Sequence, residues 1–222
     1  MEEENANVLD SYLTDFCKSC DDGLNAINRA IQLTASEPEK FTEELRDMVV
    51  GYVILNIFSL WEKFIEDIFI AYMLGKASSM GNPCERYVFP VDEVHAYQMI
   101  KGINQYPEWS NVDTIQVYAN NFLKGGKPFS KLLEMQDALK SLKKIRNALA
   151  HSSKDAKRKF ENLVQGKLGL LPDGITPVRF LIEHRTGRTR NSPSRNSPYY
   201  YEYYIDFLKE TAGYLVENPS ET

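Results

Sequence analysis

Between Val8 and Leu33 the apolar residues Val8, Leu9, Tyr12, Leu13, Phe16, Leu24, Ile27 and Ile31 recur mostly at intervals of three and four. That spacing predicts a helix, with a flaw near Asp21-Asp22-Gly23. Ser36-Glu37-Pro38-Glu39 offers an N-cap followed by proline and a carboxylate, so a second helix is expected from about Glu39 to Leu74. The middle of that helix, Val49 to Leu60, is apolar on nearly every side, which predicts a place at the centre of a bundle.

Residues 75–111 interrupt the pattern with Gly75, Gly81, Pro83, Pro90, Gly102 and Pro107. This stretch reads as an irregular insertion with one short helix at Val91 to Ile100, packed down through Tyr87, Phe89, Tyr97, Tyr106 and Trp109. Helix resumes over Val112 to Leu123, stops at Gly125-Gly126, and returns as an amphipathic stripe from Phe129 to Ala150. A basic helical stretch follows to about Val164, then turn-forming glycines and prolines, and Val178 to Ile182 reads as a short strand. A cationic loop at 183–198 and a tyrosine-rich helix at 199–216 close the chain. The fold class expected is all-α. One domain spans 1–222, its core at 8–74 and 112–164, with the 75–111 insertion.

Composition narrows the class. The chain has 222 residues and a formal charge of −5, and its hydrophobic share of 43% is that of an ordinary globular protein, which excludes global disorder. The acidic balance argues against a protein that coats nucleic acid by bulk charge, but it leaves room for a local basic site. The start, Met1-Glu2-Glu3-Glu4, does not resemble a signal peptide. The apolar stretch Met48 to Leu74 is interrupted by Glu62, Lys63, Glu66 and Asp67, so no membrane span is expected and a cytoplasmic location is. Cys17 and Cys20 have CxxC spacing, but with only Cys84 besides and His95, His151 and His184 scattered, they read as buried small side chains; neither metal nor cofactor is expected.

The candidate chemistry lies in Lys143-Lys144-Ile145-Arg146-Asn147-Ala148-Leu149-Ala150-His151. Asn147 and His151 are four apart, one turn above each other on a helix, with Arg146 on the flank of that face. Leu142, Ile145 and Leu149 would hold the opposite side against a core. These residue types suit phosphodiester chemistry. A guanidinium grips phosphate oxygens through two hydrogen bonds. An imidazole exchanges protons near neutral pH, and an amide orients either partner.

The run Arg146-Asn147-Ala148-Leu149-Ala150-His151 resembles the R-N-x-x-x-H form of the motif of the HEPN superfamily, near the end of a long amphipathic helix. The preceding long helix, with Leu60-Trp61-Glu62-Lys63-Phe64-Ile65-Glu66, also looks like the acidic-aromatic helix of that family; the similarity covers roughly residues 40–155. The resemblance implies an all-α bundle that forms a homodimer, with the motif helices of two chains facing across a cleft. It implies a metal-independent endoribonuclease that leaves a 2′,3′-cyclic phosphate, of toxin–antitoxin or antiviral-defence type. In that carry-over Arg146 binds phosphate, His151 transfers the proton and Asn147 is the polar residue after the arginine. An antitoxin or a nucleotidyltransferase partner is part of the same expectation. One position departs from it: where such regulated toxins often carry a tyrosine two residues beyond the histidine, this chain has Ser153.

Glu62 and Glu66, one turn apart, are candidates to orient Arg146, or else form the wet stripe of a long helix. Lys140, Lys143, Lys144, Lys154, Lys157, Arg158 and Lys159 bracket the motif as a basic rim or a solvated face, and Lys143, Lys144, Lys154 and Arg158 are the candidate RNA contacts. Arg185 to Arg195 is a second basic stretch, and Tyr199 to Tyr204 carries rings able to stack on bases or to pack against the bundle. The rival function is a non-catalytic HEPN-like helical module that binds a partner protein, a nucleotide or RNA.

Overall fold

The computed structural model describes residues 8–187 and 197–217. These residues form eight α-helices: α1 (Val8–Ser36), α2 (Glu43–Met73), α3 (Glu93–Ile103), α4 (Val112–Phe122), α5 (Gln136–Ala150), α6 (Lys154–Leu168), α7 (Pro177–Glu183) and α8 (Tyr200–Glu217). Two 3-10 turns, Lys124–Gly126 and Phe129–Leu133, link α4 to α5. Extended pairing among the described residues is limited to two isolated bridges, Arg86 with Leu123 and Arg185 with Tyr199. The protein is all-α.

Several local expectations are corrected. α1 runs without a break through Asp21-Asp22-Gly23. Gly23 marks a close approach: a Cβ built there would lie 2.7 Å from Ile57 Cδ1 and 3.0 Å from Val53 Cγ1. Ser36 belongs to the end of α1, and α2 opens later, where the Thr42 hydroxyl accepts from the Leu45 amide at 3.4 Å. The segment read as a strand, Val178 to Ile182, is helix α7. Thr176 caps it by accepting from the Arg179 amide at 3.1 Å, and Pro177 supplies a preset first turn. The four apolar residues there, Val178, Phe180, Leu181 and Ile182, are all buried, whereas Arg179 between them is exposed and pairs with Glu183, so the helix is covered on most sides but not all.

α2 is not enclosed all round. Val50, Val53, Ile54, Ile57 and Phe58 are buried, whereas Met48 and Tyr52 are 69% and 70% exposed on the other face. By length and composition α2 is the one described helix apolar enough to cross a membrane, and half of that apolar window is buried within the protein.

Contacts divide the chain into two compact units. The first comprises Met1–Lys18, Leu60–Leu139 and Leu208–Thr222. It is built on aromatic packing: Phe16 stacks on Phe64 at 5.1 Å, and Phe69 meets Phe129 at 4.9 Å and Trp109 at 5.4 Å. Each such ring, fully buried, contributes roughly 1.5–3 kcal/mol over exposure. The buried Tyr72 hydroxyl donates to the Leu215 carbonyl at 2.7 Å. The insertion holds α3 as expected, but of its aromatics only Trp109 is buried; Phe89 and Tyr106 are 72% and 78% exposed.

The second unit comprises Ser19–Ser59 and Lys140–Phe207. Its centre is a ring column in which Phe160 meets Phe180 edge-on at 6.0 Å and Phe180 stacks on Tyr200 at 4.3 Å. The tyrosines at the start of α8 therefore serve as packing groups: Tyr200, Tyr201 and Tyr204 are buried, and the Tyr201 hydroxyl donates to Asn28 Oδ1 at 2.7 Å.

Candidate functional site

The 143–159 segment lies wholly in the second unit. Leu142 and Ile145 are buried, and Leu149 approaches Gly51, so the inner side of α5 is fixed by apolar contact. The last bond of α5 runs from the His151 amide to the Asn147 carbonyl at 3.0 Å. Two residues later Ser153 opens α6, its Oγ accepting from the Ala156 amide at 3.2 Å. Ser153 therefore stands where the resemblance expects a tyrosine, and its hydroxyl is engaged as a helix cap.

The corner between the two helices encloses a cleft of about 200 Å³, lined by Lys144, Asn147, His151, Ser153, Asp155, Ala156 and Lys159. Lys144, Asn147 and His151 fall three and four apart, so one face of α5 forms one wall, and the first turns of α6 form the other. Asn147 and His151 thus share a wall. Arg146 does not line this cleft: its Nη1 donates to Asn147 Oδ1 at 3.2 Å, and its guanidinium carbon lies 5.7 Å from the centre of the Phe58 ring. Its Nε is buried with no hydrogen-bond partner among the described residues. The cation is thereby linked to the cleft through the amide of its neighbour.

The basic rim is largely balanced from within. Asp155 is bonded to Arg158 Nη2 at 2.8 Å and to Lys159 Nζ at 2.7 Å, and Lys157 pairs with Glu161 at 3.8 Å. Hydrogen bonds from Lys159 and Arg158 hold the Asp155 carboxyl below its usual range. Lys144 is exposed and makes no ion pair among the described residues; Lys154 is exposed in the first turn of α6, and Lys143 is half-buried. Glu62 and Glu66 are half-buried residues of α2 in the first unit, and neither makes an ion pair among the described residues.

Of the residues at the cleft, Asp155 carries no site signal in the sequence, while Lys159 belongs to the basic stretch that brackets the motif and Ser153 marks the departure at the tyrosine position. Asp155 and Lys159 stand at i and i+4 with small Ala156 between, a pattern that reads as an ordinary surface pair until α5 is placed beside it. Among the basic loop residues, Arg188, Arg190 and Arg195 lie outside the described residues. At the loop's base Arg185 donates to the Ser197 carbonyl at 2.6 Å and sits 3.8 Å from the centre of the Tyr199 ring. Cys17, Cys20 and Cys84 form no disulfide, Cys17 being half-buried and the other two buried, and no group of three or more His, Cys, Asp or Glu able to hold a metal ion occurs among the described residues.

Comparison with protein-family models, with curated proteins and with solved structures gives no match to this chain. What defines it is its own geometry: an all-α protein with a cationic, imidazole-bearing cleft at the corner between two helices.

Proposed function

We propose that this chain is a metal-independent endoribonuclease of the HEPN kind, cutting RNA by attack of a ribose 2′-hydroxyl on the adjacent phosphate. The observation that carries the reading is the shared wall of Asn147 and His151 beside Lys144 and Lys159 in one cleft. In this mechanism the 2′-oxygen forms the new bond to phosphorus, the 5′-oxygen leaves, and a cyclic phosphate remains. His151 exchanges a proton with the attacking or the leaving oxygen. Lys144 and Lys159 bind the non-bridging oxygens and offset their charge as the pentavalent state forms. Because Asn147 Oδ1 accepts from Arg146, its NH₂ end is left to donate to phosphate, and the guanidinium behind it strengthens that donor.

The homodimer, with a second copy of the motif facing this one across a shared cleft, enters the reading through the resemblance to the HEPN superfamily. A cytoplasmic toxin or antiviral effector held by an antitoxin or a nucleotidyltransferase partner is the setting that goes with it. The test is incubation of the purified protein with total RNA and analysis of the ends. Cyclic-phosphate termini that vanish in His151→Ala are the expected result; intact RNA under all conditions rejects the enzyme.

The second reading, a helical module that binds RNA, a nucleotide or a partner protein without catalysis, is favoured by one observation. Arg146 is engaged by Phe58 and Asn147 and does not line the cleft. A gel shift of RNA that stays uncut over time would support it.

A further inference from the structure

Asp155 stands inside the cleft as a lining group, and its two oxygens are taken by different cations of its own helix, Oδ1 by Arg158 and Oδ2 by Lys159. A phosphate group offers the same pattern, oxygens diverging toward separate donors. It also shares the preference for the first turn of a helix, here the 15-residue α6, where amides and macrodipole favour an anion. On the facing wall Lys144 makes no ion pair among the described residues. The cleft therefore already contains an anion of the right kind in the right place, supplied by the chain itself.

We propose that Asp155 is the resident counter-ion of this cleft, holding Lys159 and Arg158 until a phosphate group displaces it. The identity of the natural ligand as RNA rests on the ribonuclease reading; the chemistry of the ligand, a phosphate on a polynucleotide or free in solution, rests on the cleft alone. Exposed pairs of this type are weak and salt-screened, so displacement is easily reversed. With Asp155 in place, Lys159 and Arg158 attract a lone phosphate poorly, whereas a strand with further contacts outcompetes the carboxylate. Asp155 thus sets a threshold that selects polyanions over single phosphates.

Binding is read with a short labelled 2′-deoxy single strand, which lacks the attacking hydroxyl and so cannot be cut by the proposed route. A second arm uses inorganic phosphate followed by amide NMR shifts at the start of α6. Asp155→Asn is expected to bind the strand roughly threefold to tenfold more tightly at low salt, with a steeper loss of affinity as salt rises. Asp155→Glu, which keeps the charge, should bind as the parent does, and circular dichroism checks that each exposed substitution leaves the helices intact. In a background of Arg158→Ala and Lys159→Ala the gain from Asp155→Asn should vanish.

Equal affinity of parent and Asp155→Asn, no binding by either, or a gain that survives undiminished without the two cations overturns the proposal. A gain for the strand alone identifies a polynucleotide backbone as the ligand, and a gain for inorganic phosphate as well identifies any phosphate; both support the counter-ion. RNA cleavage is assayed separately, so an inert protein that still shows the Asp155→Asn gain rejects the ribonuclease and retains the counter-ion.

Discussion

The guanidinium of Arg146 reaches the amide of Asn147, its immediate neighbour on α5, with Nη1 donating to Oδ1 at 3.2 Å. Consecutive helical side chains diverge by about 100°, so such a contact needs a long arm and something to hold it. Phe58 provides the hold, its ring centre 5.7 Å from the guanidinium carbon. The result is a cation that belongs both to the packing of the second unit and, through one amide, to the cleft.

That dual role separates two substitutions. Arg146→Ala loses the ring contact and the packing of the side-chain stem, and is expected to cost about 1–2 kcal/mol of stability in urea denaturation. His151→Ala removes an exposed side chain and should stay within about 0.5 kcal/mol of the parent. A fully neutral Arg146→Ala would show that the guanidinium is not engaged as described.

For activity the expected order is different. His151→Ala should abolish RNA cleavage outright, and Asn147→Ala should weaken it by roughly tenfold or more through loss of an oriented donor. Cleavage by the parent should continue in excess EDTA. Activity that disappears on chelation and returns with Mg²⁺ would count against the mechanism.

Two glycines in helices make opposite predictions from the same chemistry. At Gly166 of α6 a Cβ meets nothing within 4 Å, so Gly166→Ala should stabilise by about 0.5–1 kcal/mol through helix propensity. At Gly23 the same change gains the same propensity but drives a methyl to 2.7 Å from Ile57 and 3.0 Å from Val53. The crowding outweighs the gain, and Gly23→Ala should destabilise by about 1 kcal/mol net. Thermal denaturation of the pair decides it; equal shifts in both variants would mean that α1 and α2 are not so closely packed there.

Tyr201 makes a prediction for alkaline pH. Burial, reinforced by the neighbouring Glu202 carboxylate, pushes its phenol up to about 12. In the unfolded chain the same phenol ionises near about 10. The folded state keeps a proton that the unfolded state gives up, so this contribution is whole below about pH 10 and is lost as pH rises through about 12. The melting temperature should therefore fall over that window, and Tyr201→Phe, which cannot ionise, should flatten that part of the fall. Parallel curves for the two proteins would show that Tyr201 is not buried as a neutral hydrogen-bond donor to Asn28.

Much of the architecture was legible because helix formation depends on local periodicity. The helices at 93–103, 112–122 and 154–168 lie close to where apolar spacing and turn residues put them. The errors share a cause. Asp21-Asp22-Gly23 looked like a break because glycine is a poor helix former, yet α2 needs that space. Val178 to Ile182 reads as a strand because a short, mostly apolar run has no readable period, while Thr176-Pro177 carries the cap and first-turn signal of the helix that forms. The aromatics of the insertion looked buried because rings usually are, yet Phe89 and Tyr106 face outward.

At the site, the neighbourhood of Asn147 and His151 followed from a four-residue step on one helix, which the sequence alone determines because a helix repeats every 3.6 residues. Lys159, Asp155 and the cap at Ser153 join them only once the chain turns at 151–153 and brings the first turns of α6 to the same cleft, a turn that the period of one helix does not encode. The direction taken by Arg146 was equally beyond the one-dimensional pattern, since a long side chain goes where a ring and an amide receive it, and Phe58 is remote along the chain. Periodicity fixes which residues share a helix face; packing between helices decides what that face meets.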